Sequence, residues 1–152
     1  MGNAVRKLLN GVVAAAAILA AGFAWGAAPD WVLLDENQDS RFYYDQSGPR
    51  PHEGMAQVRT RVVYSDEGKA DALKILGNQK KYQGLFESHY QHQVDCTEGR
   101  TRLVEATHLD EQGAVLNRSD LSGVTNWEEV PAGERMSLVL EKVCTAPAPG
   151  KR

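Results

Sequence analysis

Hydrophobic and polar positions divide the chain into short runs separated by turn-forming residues, and most runs have the period of strands. Residues 31–35 (WVLLD) are an apolar run suited to a strand, residues 36–40 (ENQDS) are turn material, and residues 41–45 (RFYYD) are rich in aromatic side chains. Together they predict a β-hairpin. Residues 46–54 (QSGPRPHEG) combine prolines with glycines and predict an irregular connection. Val58, Thr60, Val62 and Tyr64 then alternate with Gln57, Arg59, Arg61 and Ser65, the signature of a half-buried antiparallel strand, with Val63 the one exception. Ser65 is placed to cap a short helix running to Leu76, and Gly77 to end it. Residues 78–84 are polar and read as a loop.

The next stretch, residues 88–96 (SHYQHQVDC), poses a choice between two chemistries. On a helix, His89, His92 and Cys96 would line one face as metal ligands do. On a strand, Phe86, Ser88, Tyr90, His92, Val94 and Cys96 share one face, while Leu85, Glu87, His89, Gln91, Gln93 and Asp95 share the other. The first set is aromatic and apolar and the second almost wholly polar, whereas helical spacing scatters the apolar residues around the axis. The strand is therefore expected. His89 and His92 then point to opposite faces, and His92 and Cys96 stand roughly 13 Å apart along the strand, too far to share an ion. No metal and no cofactor are expected, and His52 and His108 show no pattern that would add to a site.

Residues 97–99 supply a turn, residues 100–109 (RTRLVEATHL) a returning strand, residues 110–113 another turn, and residues 114–117 a further strand. Residues 84–118 thus form a three-strand meander. Trp127 to Pro131 leads into a second helix, with Pro131 expected in its first turn. Met136, Val139, Leu140, Val143 and Cys144 follow at helical spacing on one face. That face packs on the sheet and brings Cys144 to the side of Val94 and Cys96, the chain's two cysteines being Cys96 and Cys144. The fold class is α+β: an antiparallel sheet of about six strands, with a C-terminal helix packed on one face and one disulfide.

Composition changes this picture mainly through the ends. Arg6 and Lys7 precede an apolar run at residues 8–23, followed by Ala24-Trp25-Gly26, the three regions of a secretory signal peptide spanning residues 1–26. The run is too short for a lasting membrane span, and no cysteine follows it to carry a lipid. Export to an oxidising compartment, the periplasm or outer surface of a Gram-negative bacterium, favours a Cys96–Cys144 disulfide. One domain is expected over residues 27–145, with a disordered Pro-rich tail at 146–152. The chain has 17 Lys+Arg against 20 Asp+Glu, and loss of the leader's two cations makes it more acidic still. That balance argues against nucleic acid and anionic membranes as partners.

The order of these features carries a resemblance. Trp31-Val32-Leu33-Leu34 leads to Phe42-Tyr43-Tyr44-Asp45, then comes the alternating strand from Val58 to Tyr64. Val94-Asp95-Cys96 follows, with Arg100 and Arg102 close behind, then an Asp110 to Gly113 turn, Trp127 to Pro131, and a helix ending Lys142-Val143-Cys144. From Trp31 to Cys144 the chain resembles the bacterial surface-adhesin protein E family. The resemblance implies a sheet with a C-terminal helix tied down by the Cys96–Cys144 bridge, a cell-envelope location and dimer formation. For the founding adhesin it implies binding of host matrix proteins such as vitronectin and laminin.

Three functional readings follow. The first is an envelope binding protein that holds a protein partner through its loops or the sheet face bearing Glu87, His89, Gln91 and Gln93. The second is an enzyme, which the absence of HExxH, nucleophile-elbow, phosphate-loop and CxxC motifs argues against; Glu105 and Asp110 are only two of many carboxylates. The third is a periplasmic small-ligand carrier, or an inhibitor of an envelope enzyme, with Phe42, Tyr43, Tyr44 and Tyr90 around an apolar pocket; aromatic residues on strands more commonly build core. The first, non-enzymatic reading is preferred.

Overall fold

The computed structural model describes residues 28–145. The leader expected at 1–26 and the disordered tail expected at 146–152 lie outside the described residues. The elements are β1 (Trp31–Glu36), β2 (Ser40–Asp45), β3 (Met55–Tyr64), α1 (Asp66–Ile75), β4 (Glu87–Asp95), β5 (Arg100–Leu109), β6 (Val115–Asp120), β7 (Glu128–Glu129) and α2 (Arg135–Cys144). The sheet is antiparallel throughout, ordered β1-β2-β3-β4-β5-β6, and the two-residue β7 pairs with β5 beyond the reach of β6. Neighbours in sequence are neighbours in space, so the fold is a meander closed by a helix.

One face of the sheet, called inner here, makes the core. Phe42, Ala56, Val58 and Val94 meet Val139 of α2, with Leu34, Tyr44, Met136, Leu140 and Val143 packed around them. Cys96 and Cys144 join at the edge of this cluster, with their Cα atoms 5.4 Å apart. The bridge clasps the end of α2 to the end of β4, the arrangement the helical and strand periodicities imply.

Two devices seat the helices. A bulge in β1 places one extra residue between the Leu33–Tyr43 and Asp35–Phe42 pairs, which turns Asp35 toward α2. There Arg135 donates to Asp35 at 2.7 Å, to the Ser40 hydroxyl at 2.7 Å and to the Ser40 carbonyl at 3.1 Å, with its guanidinium over the Phe42 ring. For α1, the Ser65 hydroxyl accepts from the Gly68 amide at 3.1 Å and donates to the Asp39 carbonyl at 3.0 Å. Gly68 lies so close that a Cβ there would sit 1.9 Å from the Asp39 carbonyl oxygen. Gly77, at φ +72°, ends the helix as expected: its amide bonds to Lys74 and that of Asn78 to Leu73, the crossed pair of a Schellman cap.

The second helix corrects one expectation. It starts at Arg135, so Pro131 is not in its first turn. The chain stays tied to the sheet through β7 and the Val130 amide, which reaches the Gly99 carbonyl. Gly133, at φ +87°, then makes the turn, a conformation a helix cannot contain. Residues 78–84 also hold more than a loop. Lys80–Tyr82 form a 3-10 turn that buries Tyr82 with its ring edge-on to His108.

Candidate functional face

With α2 and the core on the inner face, the outer face of the sheet is left uncovered by either helix. Its residues come from strict alternation on β3 and β4, and from a second bulge on β5. Gln91 pairs with Glu105 and His92 with Leu103, leaving Val104 as the extra residue. The bulge resets the parity, so Arg100 and Arg102 share the outer face with Glu105 and Thr107.

Ion pairs run across this face. Arg59 donates to Asp45 at 2.9 Å, Arg61 to Glu87 at 2.8 Å, Arg118 to Glu105 at 2.7 Å and Arg100 to Asp95 at 3.3 Å. In each pair the carboxylate is the more buried partner, so guanidinium groups form the surface and the acids its floor. Burial raises the Asp45 carboxyl, but bonds from Ser47, Asp30 and Arg59 outweigh it and hold the group below the usual carboxylate range.

Aromatic rings interleave with these charges. Arg61 lies over Tyr43, and Arg100 and Arg102 lie against Trp127. Trp31, on the edge strand β1, reaches His89 on β4 with ring centroids 5.2 Å apart. A pocket of about 200 Å³ beside it is lined by Pro29, Trp31, Arg59, His89, Gln91, Glu105, Thr107 and Arg118. Side chains of β1 and β6, the two ends of the strand order, thus meet over one hollow, which makes the face a trough.

The four residues expected on this face are all there and none is simply solvated. Glu87 is nearly buried, accepting from Arg61 and facing His89 Nε2 at 2.8 Å. Gln91 donates to Gln57 at 3.2 Å, and Gln93 accepts from Arg102 at 3.1 and 2.6 Å. Burial lowers the His89 pKa; Glu87 opposes this, and Arg61 and Arg59 reinforce it. Sequence reasoning missed Trp31 and Trp127 as members of this face. Their signal was available in part: a tryptophan opening an edge strand and another beside two arginine-bearing positions.

The inner face holds a second polar group, between α1 and α2. Tyr64 donates to Ser88 at 3.0 Å, Ser88 Oγ stands 2.7 Å from His108 Nδ1, and Thr60 Oγ1 stands 3.1 Å from His92 Nε2. Burial lowers the pKa of His92 to about 4 and that of His108 below its ordinary value, the latter with help from Lys81. Burial, then Tyr90, raise the Tyr64 phenol. Ser88 has no exposed surface and its oxygen accepts a hydrogen bond from the Tyr64 hydroxyl, so its contact with His108 is a satisfied core hydrogen bond. Beneath α1 a cleft of about 230 Å³ is lined in part by Tyr64, Ile75, Leu76, Tyr90 and His108. The aromatic residues considered for a carrier pocket do not converge: Phe42 is core, Tyr43 lies under Arg61, Tyr44 lines a different hollow beside Arg50 and Lys142, and Tyr90 lines this one.

His89 and His92 leave β4 on opposite faces, with Glu87 and Thr60 as their respective partners. Among the described residues, no group of three His, Cys, Asp or Glu side chains is placed to hold a metal ion. No described helix is long and apolar enough to cross a membrane.

A family profile described as surface-adhesin protein E matches residues 31–145, from the first residue of β1 to just past the disulfide. The chain belongs to the surface-adhesin protein E family. The match covers the whole sheet and both helices, and the chain is a surface-adhesin-like protein. No curated protein and no solved structure matches the chain significantly.

Proposed function

We propose that this protein, exported by a leader ending at Gly26 to the envelope or outer surface of a Gram-negative bacterium, is a non-enzymatic adhesin that holds a protein partner through the outer face of its sheet. The observation that carries the reading is the division of labour between the two faces. The inner face is occupied by core, helices and a buried hydrogen-bonded cluster. The outer face presents guanidinium groups, tryptophans and amides around a trough. Arginine and aromatic residues are the types that dominate binding energy at protein interfaces, because they offer large contact area and directed bonds; here the carboxylates beneath them already hold the guanidinium groups in place. One domain over 27–145 and a partner outside the cell, a host matrix protein by family analogy, complete the reading.

The test is capture. Immobilised protein is exposed to envelope and matrix extracts beside a variant carrying Tyr43→Ala and Arg118→Ala on the outer face. A partner retained by the unmodified protein and lost by the variant supports the reading. Equal retention by both would place binding elsewhere, and hydrolysis of any envelope substrate by the purified protein would end the non-enzymatic reading.

A further inference from the structure

The outer face carries a feature that partner binding in general does not require: a tryptophan and an amide pair beside one hollow. Trp31, lying on His89, lines the hollow of about 200 Å³ together with Gln91. Gln91 is bonded in turn to Gln57. Trp127 stands outside that lining, with Arg100 and Arg102 already against its ring.

We propose that this hollow binds a sugar unit of a neutral oligosaccharide chain carried by the partner, with Trp31 as its stacking platform. The inference rests on the reading that the outer face holds the partner, and it names the chemistry the partner presents there. A sugar ring has one face rich in C–H groups, which stacks on an aromatic ring, and an edge of hydroxyls that both donate and accept. Amides supply both functions, and the single bond between Gln91 and Gln57 leaves N–H groups and lone pairs on the pair to offer. The pocket beside Trp31 adds Arg118, Glu105 and Thr107, which extend the same mixture of donors and acceptors.

One competing occupant fits less well. An anionic chain would seek unmatched cations, yet the two arginines that line the hollow, Arg59 and Arg118, each face a carboxylate already.

The experiment titrates the protein with N,N′,N″-triacetylchitotriose, maltotriose and lacto-N-tetraose, following tryptophan fluorescence. In parallel the protein is applied to an array of neutral, sialylated and sulfated glycans. Saturable binding of at least one neutral oligosaccharide is expected. Trp31→Ala and Gln91→Ala should each weaken it roughly tenfold, the loss of one stacking or hydrogen-bonding contact, with circular dichroism confirming that the variants fold. Lys74→Ala, on α1, should bind as the unmodified protein does. Failure to retain any neutral glycan, retention of sialylated or sulfated glycans alone, or equal binding by both outer-face variants would overturn the inference. A protein partner that stays bound after its glycans are removed would overturn it while leaving the partner-binding reading intact. Neutral glycan binding with no protein captured would support the sugar site, and would end the protein-partner reading together with the claim that the partner carries the chain.

Discussion

Replacing Cys96 and Cys144 together with alanine removes the clasp between β4 and α2 while leaving small apolar groups beside the core. The bridge closes a span of 48 residues. Chain-entropy reasoning gives about 4 kcal/mol for a closed loop of that length. Against the 5–15 kcal/mol of net stability typical of a single domain, that is a large share. A domain of about 120 residues gains about 0.25 kcal/mol/K of entropy on melting, so the loss should lower Tm by roughly 15 °C. Thermal melts followed by circular dichroism, with the double variant and with the reduced unmodified protein, measure this directly. The two should agree, because both remove the same constraint. A double variant melting within about 3 °C of the unmodified protein would show that the helix is held by Val139, Leu140 and Arg135 alone and would refute the reasoning.

Three other outcomes follow from local geometry. Gly68→Ala should cost about 2 kcal/mol or more in urea unfolding, because its Cβ would meet the Asp39 carbonyl, a backbone atom that cannot rotate away. Arg135→Lys should cost about 1–2 kcal/mol, since an ammonium keeps the charge near Asp35 but cannot reproduce the fork that also binds Ser40; retention of full stability would show the fork to be idle. Stability should fall with acid, since His92 in the folded chain stays neutral down to about pH 4 while the unfolded chain takes up that proton near 6.5. The unfolded state therefore binds more protons within that window, and up to about 3 kcal/mol is lost as pH falls through it. His92→Gln should flatten the dependence seen by denaturant titration between about pH 7 and about pH 4.5, and an unchanged slope would assign the loss to other groups.

Much of the fold was legible because each strand of the meander has its own alternation and its neighbour follows directly in sequence. Parity placed Val94 and Cys96 opposite His89, and the structure agrees. Ser65 and Gly77 marked the ends of α1 through requirements that are purely local. What escaped was set by register and long-range contact. The β5 bulge at Val104 shifts which residues share a face, and no alternation reveals a residue that has no partner. Arg135 looks like a surface cation until Asp35 and Ser40, about a hundred positions earlier, are brought beneath it. Tyr82 sits in a polar stretch and is buried where β5 brings His108 beside it. Trp31 and Trp127 lie almost a hundred residues apart, and only the assembled sheet shows that one meets His89 and the other Arg100 and Arg102.

Photo-cross-linking from single positions tests the division between the faces most directly. A benzophenone side chain at Leu33 or Gln57 stands on the outer face, and one at Ile75 stands exposed on α1, away from it. Exposure of each variant to envelope or matrix extract, followed by irradiation, should yield a partner adduct from Leu33 or Gln57 and none from Ile75. Adducts from Ile75 alone would contradict the assignment of the outer sheet face as the binding surface.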